Sequence, residues 1–121
     1  MKKWFFIALM AITIGGCKSA MENIVKEGYF YSCPDVKVEE LFENYFENTK
    51  WESFIADDGN YFINVTGNIM YNNSPASALV QFMVFDDDSW EIYAFEINKQ
   101  TQDESMFLSL ITDMCPTSSS I

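Results

Sequence analysis

Residues 61–97 read YFINVTGNIMYNNSPASALVQFMVFDDDSWEIYAFEI, and they contain the clearest strand and turn signals in the sequence. Three segments rich in apolar and aromatic residues, 61–71, 78–85 and 90–97, are separated by two runs of turn-forming residues. These runs are Asn72-Asn73-Ser74-Pro75 and Asp86-Asp87-Asp88. Connections this short join antiparallel neighbours, because parallel strands need a long crossover. The sequence therefore predicts an antiparallel meander at the centre of the domain.

One further strand is predicted upstream, and one helix on each side of the meander. Residues 51–56 lead into a turn at 57–60, whose Asp-Gly step favours a hairpin. Between about residues 36 and 48, apolar side chains recur at three- and four-residue steps, which indicates an amphipathic helix. The segment 101–115 shows the same spacing and predicts a second helix. Thr101 and Glu104 at its start match a capping box. The predicted fold class is α+β: helix, antiparallel three- to four-stranded meander, helix, with the helices packed on one sheet face.

The first residues, MKKWFFIALMAITIGGC, indicate export. Two lysines precede the apolar stretch Trp4 to Ile14, which suits a signal peptide but is shorter than the about 20 residues that span a bilayer. The run Ile14-Gly15-Gly16-Cys17 resembles the lipobox of bacterial lipoproteins, whose cysteine thiol receives the diacylglycerol. We therefore expect a signal peptide over 1–16, lipidation of Cys17, a lipidated tether over 17–26, a domain over 27–115 and a disordered tail over 116–121. An ordinary secretory signal and an uncleaved membrane anchor are the alternatives.

The expected mature chain is strongly acidic. Residues 17–121 carry 5 lysines against 18 aspartates and glutamates, a net charge of −13, and the sequence contains no arginine or histidine. Such a surface repels the phosphate backbone of nucleic acid and lacks the guanidinium groups that bind phosphate in pairs of hydrogen bonds. We expect no nucleic-acid partner.

Cys33 and Cys115 are the remaining cysteines if Cys17 carries lipid. An even number of cysteines in an exported domain favours a disulfide. The bond closes a loop of about 80 residues, worth about 4 kcal/mol in the chain-entropy model. Two buried free thiols are the alternative.

The residue inventory restricts the chemistry available to the chain. Without histidine, Ser-His-Asp and Cys-His sites and imidazole zinc sites are excluded. The aspartates at 57–58 and 86–88 are calcium-ligand types, but their spacing matches no EF-hand loop and aspartate is common in turns. Trp51, Trp90 and Tyr93 are the residue types of a carbohydrate platform, but at strand spacing they are more typical of a core. We expect no enzymatic activity, no cofactor and no metal site.

Residues 24–114 resemble a family of small uncharacterised α+β bacterial domains, which occur behind lipoprotein signals, zinc ribbons or membrane segments. The resemblance rests on short motifs in a fixed order. They are Val25-Lys26-x-Gly28, Pro34, Leu41-Phe42-x-x-Tyr45-Phe46, Lys50-Trp51-x-x-Phe54, Asp58-Gly59, Val65-Thr66-Gly67, Ala78-Leu79-Val80-Gln81-Phe82 and Phe95-Glu96-Ile97-Asn98. The family implies no established activity and no catalytic residue. The chain departs from its pattern at Cys33, where an aromatic residue is usual, and at Cys115, and this paired departure favours the disulfide.

Large apolar side chains on both faces of the segments between 78 and 97 indicate a surface for a partner, unless the chain itself covers it. We therefore expect a membrane-anchored envelope lipoprotein with a protein-binding or structural role and an envelope protein as partner. The lipid on Cys17 attaches it to the membrane, and Lys18 favours the outer membrane, facing the periplasm. The alternative is an inhibitor of a secreted basic hydrolase such as lysozyme, which a domain of charge −13 attracts electrostatically.

Overall fold

The computed structural model describes residues 16–116, which form an α+β domain with an antiparallel sheet, as predicted. The helices are α1 (Gly16–Lys26), α2 (Val38–Tyr45) and α3 (Glu104–Met114). The strands are β1 (Glu47–Ile55), β2 (Tyr61–Tyr71), β3 (Ser74–Val84), β4 (Trp90–Ile97) and β5 (Gln100–Thr101). Their order in the sheet is the order in the chain. Within the described range the sheet has five strands instead of three to four, because Gln100 and Thr101 fold back on the end of β4.

Tight turns fix the register of the meander. β2 and β3 pair without interruption from Tyr61–Val84 to Tyr71–Ser74. Asn72 and Asn73 connect them with φ angles of 53° and 65°, the left-handed conformation that a two-residue hairpin turn requires. Because side chains alternate along a strand, this register decides which residues of both strands share a face.

The hydrophobic core combines one set of alternating strand residues with the buried residues of the helices. Ile63 and Val65 of β2 and Val80 and Phe82 of β3 are completely buried and belong to a single cluster. The helices contribute Val25, Val38, Leu41, Phe42, Phe107, Leu110, Ile111 and Met114 to the same cluster. Burial of this apolar surface is the main favourable contribution to folding.

The segment 17–26, interpreted as a tether, is helical in the structure. Val25 of α1 is completely buried. Glu22 accepts a hydrogen bond at its Oε2 from the Ser53 hydroxyl at 3.0 Å, and Lys26 Nζ lies 5.3 Å from the centroid of the Trp51 ring. Helix α1 is therefore part of the folded domain and packs beside β1. The expected signal peptide up to residue 15, and residues 117–121 of the expected tail, lie outside the described residues.

The start of α3 differs from the predicted capping box. The N-cap is Asp103, whose carboxylate accepts a hydrogen bond from the Met106 backbone N–H at 3.0 Å. Thr101 instead pairs with Glu96 as part of β5. The Asp103 carboxylate thus satisfies a backbone N–H of the first turn that has no partner within the helix. The predicted N-cap at Thr101 is therefore wrong, and the helix begins two residues later in the chain than that cap implies. Among residues 16–116 no helix is long and apolar enough to cross a membrane.

Candidate functional site

A groove of about 480 Å³ lies between β4 and α3. Its volume is within the range of about 300–1,000 Å³ typical of small-molecule pockets. Its walls come from three separate segments: residues 30–32, residues 92–95 and residues 102–111. Three large apolar side chains in it remain exposed to solvent: Tyr31 (100 % exposed), Leu108 (53 %) and Tyr93 (51 %). It is therefore an open apolar groove and not an internal cavity.

The wall formed by residues 30–32 is fixed by aromatic packing of Phe30. The ring of Phe30 lies 5.8 Å from that of Trp90 and 5.9 Å from that of Phe107, measured between centroids. Gly28 allows this approach, because a Cβ at that position would lie 2.8 Å from the Trp90 indole. The backbone N–H of Cys33 donates to the Phe30 carbonyl at 3.0 Å and closes the turn. This short segment is thus fixed against both β4 and α3, and Tyr31 projects from it.

A disulfide joins Cys33 to Cys115, as predicted. Cys33, 1 % exposed, ends the turn that carries Tyr31, and Cys115 is the C-cap of α3. The bond therefore ties one wall of the groove to the far end of the helix that forms another wall.

The wall formed by β4 contains an irregularity in strand pairing. Gln81 of β3 pairs with Ala94 and Phe82 pairs with Ile92, so Tyr93 is an extra residue in β4. Such bulges redirect side chains and increase the local twist. The Tyr93 ring lies 4.9 Å from the ring of Phe62 and also lines the groove.

Carboxylates occur at the groove beside the start of α3. Asp103 and Glu104 line it there, and Asp103 already accepts the capping hydrogen bond of the helix. None of the lysines whose side chains the structure describes, Lys26, Lys37, Lys50 and Lys99, lines the groove. The groove is therefore apolar at its walls and acidic at one end.

The aspartates at 57–58 and 86–88 lie in two hairpin turns, where local hydrogen bonds involve two of them. Asp58 accepts from the backbone N–H of Asn60 at 3.1 Å. Asp87 accepts from the hydroxyl of Ser89 at 2.6 Å and from its backbone N–H at 3.0 Å. The two bonds from Ser89 favour the ionised carboxylate of Asp87 and lower its pKa. Among residues 16–116 the structure contains no group of three or more metal-ligating side chains.

The candidate carbohydrate platform is not assembled. Trp51 is on β1, at the opposite edge of the sheet from Trp90 and Tyr93 on β4. Trp51 donates its indole N–H to Glu43 at 3.1 Å, and the Trp90 ring packs 5.4 Å from that of Phe82. Of the three aromatic residues, only Tyr93 lines the groove.

Burial affects two further polar side chains outside the groove. Gln81 is 1 % exposed and donates from its Nε2 to Asn64 Oδ1 at 2.9 Å, while its Oε1 accepts no hydrogen bond from the described residues. An unpaired buried oxygen costs about 1–3 kcal/mol.

Burial raises the pKa of Tyr45, and the nearby Asp113 carboxylate raises it further. The phenol of Tyr45 therefore stays neutral over a wide pH range.

Two residues of the groove were not singled out from the sequence. Tyr31 belongs to the aromatic run 29–31, and Leu108 lies off the apolar face formed by Phe107, Leu110 and Ile111. An apolar residue outside the periodic face of a helix is the signal that marks Leu108. Cys17 lies in α1, and the structure describes its backbone only.

No protein-family model, curated protein or solved structure matches the chain. The family resemblance of residues 24–114 stays a prediction.

Proposed function

We propose that this chain is a bacterial envelope lipoprotein that binds another protein and has no catalytic activity. The observation that carries the protein-binding role is the open groove between β4 and α3, with Tyr31, Tyr93 and Leu108 exposed. Exposed apolar side chains concentrated in one concave surface are typical of interaction sites. Its walls carry aromatic and aliphatic groups, and the Asp103 carboxylate is occupied in capping α3, which argues against a role for it in catalysis.

The proposed location is supported by the sequence of the first 18 residues. We propose cleavage after residue 16, lipid on Cys17, and residence at the outer membrane facing the periplasm. Several acyl chains on one residue hold a domain firmly at a bilayer, because each buried CH₂ contributes about 0.8 kcal/mol. Labelled palmitate should enter the wild-type protein in a lipoprotein-processing bacterium and be absent from Cys17→Ser. Equal labelling of the two proteins would exclude Cys17 as the acceptor.

The proposed arrangement of the layers puts all three helices on one face of the sheet. It is supported by the shared cluster of Val25, Phe42 and Phe107 with Ile63 and Val65 of β2. Phe54 and Phe62 lie outside that cluster and stack on each other at 5.5 Å. In this arrangement the helices leave the groove accessible at the β4 edge.

The binding role is tested by photocrosslinking in the cell. A benzophenone amino acid is placed at Tyr31, Tyr93 or Leu108 of the full chain, and at Met70 as a control, because Met70 is 64 % exposed and does not line the groove. We expect the three groove positions to capture the same protein and Met70 not to capture it. Identical capture at Met70, or no capture at any groove position, would contradict the proposal.

A second candidate is inhibition of a secreted basic hydrolase. It is favoured by five aspartates, at 57–58 and 86–88, which lie on two turns at the same end of the sheet. The two turns share this end because they adjoin Tyr61 and Val84, which pair with each other. Such a surface attracts a cationic enzyme at a rate that falls with salt. The test is inhibition of a basic muramidase at low and high ionic strength. Lack of inhibition at low salt excludes this candidate.

A further inference from the structure

The outer edge of β4 has no strand partner over most of its length. Strand β5 pairs with β4 only at Glu96 and Ile97, and the Phe95 carbonyl accepts from the backbone N–H of Gln102 at 2.8 Å. Among residues 16–116 no strand pairs with residues 90–94 on the side opposite β3. Since antiparallel pairing uses the backbone groups of alternate residues, some of the N–H and C=O groups of this segment point away from β3.

An open strand edge is a template for an added strand. Proteins that bind extended peptides this way obtain affinity from main-chain hydrogen bonds and specificity from pockets for alternate side chains. The groove supplies such a pocket, because it is lined by Ile92 and Tyr93 of the open edge and by Leu108 of α3. The free edge and the exposed apolar surface are thus contiguous.

The charge around this edge selects the occupant. Asp103 and Glu104 line the groove, Glu91 lies within the open segment, and three aspartates at 86–88 precede it. A segment carrying lysine or arginine is attracted to this surface, and an acidic one is repelled. A second copy of the chain is disfavoured, because each mature copy carries a net charge of −13.

We propose that an extended, basic segment of a partner protein adds to the outer edge of β4 between Trp90 and Ala94. Its apolar side chains pack on Tyr93 and Leu108, and its basic side chains lie near Asp103 and Glu104. This inference rests on the proposed protein-binding role and specifies the form and the charge of the bound segment.

The test measures peptide binding to the full lipidated chain in detergent micelles. The probe is a heptapeptide with alternating lysine and valine residues. One control peptide has glutamate in place of lysine, and a second has the probe sequence with an N-methyl group on every residue, which blocks strand pairing along both of its edges. We expect the probe to bind, and each control to bind at least about tenfold more weakly because charge attraction or the main-chain hydrogen bonds are lost.

Two protein variants locate the binding. Leu108→Lys puts a like charge into the groove and is expected to weaken binding of the probe by at least about tenfold. Met70→Lys adds the same charge at an exposed residue that does not line the groove and is expected to leave binding nearly unchanged. Amide exchange gives a direct measure, because the bound probe should slow exchange within residues 90–94 and leave the β2–β3 turn at Asn72 and Asn73 unaffected.

The outcomes separate this inference from the proposed function. If groove positions capture a protein in cells but the probe fails to bind, strand addition is overturned and the binding role stands. Equal binding of the N-methylated peptide overturns strand pairing, and equal binding of the glutamate peptide overturns the charge preference. A dimer in light scattering that disappears in Leu108→Lys would assign the edge to a second copy and overturn the proposed occupant.

Discussion

At the scale of the residue, Ser89 controls the acidity of Asp87. Its hydroxyl and backbone N–H both donate to the Asp87 carboxylate and lower the pKa of Asp87 below the ordinary 3.8. The folded state thus favours the ionised form, so this interaction stabilises the fold above the ordinary pKa and is lost as the pH falls through the lowered pKa. We expect Ser89→Ala to raise the pKa of Asp87 and Ser89→Thr to keep it low. An NMR titration of the Asp87 carboxyl carbon measures both, and an unchanged pKa in the alanine variant would contradict the role of the hydroxyl.

Lys99 occupies a backbone conformation that its side chain disfavours. Asn98 and Lys99 turn β4 into β5 with φ angles of 52° and 68°. A non-glycine residue in this left-handed region costs about 1–2 kcal/mol, and glycine avoids that cost. Glycine also increases the conformational entropy of the unfolded chain, which offsets part of the gain in stability. We expect Lys99→Gly to raise the free energy of unfolding by about 0.5–1 kcal/mol, measured by urea denaturation. Lys99→Ala is the control and should give no such gain. Equal effects of the two substitutions would assign the change to loss of the lysine charge.

At the scale of the element, the disulfide links the turn before α2 to the end of α3. Cys33 and Cys115 are 82 residues apart in the chain, and a loop of that size predicts stabilisation of about 4 kcal/mol. Total stabilities of small domains are about 5–15 kcal/mol. We therefore expect Cys33→Ala/Cys115→Ala to lower the free energy of unfolding by about 4 kcal/mol in urea. Reducing agent should destabilise the wild type and leave the double variant unchanged. Equal stability of reduced and oxidised wild type would contradict the prediction.

The strands of the meander were predictable because their signals are local. Turn residues at 57–60, 72–75 and 86–88 separate apolar segments of strand length, and the structure has hairpins at these places. Helix α1 was not predicted, because residues 17–26 mix small, charged and apolar side chains and only Met21, Ile24 and Val25 mark a face. The groove is non-local: residues 30–32, 92–95 and 102–111 are brought together by the packing of Phe30 and Phe95 on Phe107 and by the disulfide. No spacing in the sequence encodes that meeting.

At the scale of the whole molecule, the expected anchor and the acidic turns are at the same end. Helix α1 runs antiparallel to β1. Lys26 of the helix lies over Trp51 of the strand. Glu22, nearer the start of the helix, bonds to Ser53, nearer the end of the strand. Four helical residues and two strand residues both advance about 6–7 Å, so the two elements stay aligned. The start of α1, with the Cys17 backbone, therefore lies towards the turns at 57–60 and 86–89. The turns at 72–73 and 98–99 are at the other end.

Lipid on Cys17 therefore predicts an orientation on the membrane. We expect the turns at 57–60 and 86–89 to face the headgroups, so that a headgroup spin label in phosphatidylcholine vesicles broadens their amide signals more than those at 72–73 and 98–99. Anionic phosphatidylglycerol should reduce this broadening at low salt, because five aspartates are repelled, and salt should restore it since the Debye length is about 10 Å at 0.1 M. Cys17→Ser, without lipid, should show no broadening. Stronger broadening at 72–73 and 98–99 would mean that the domain stands the other way up, with its acidic turns directed away from the bilayer.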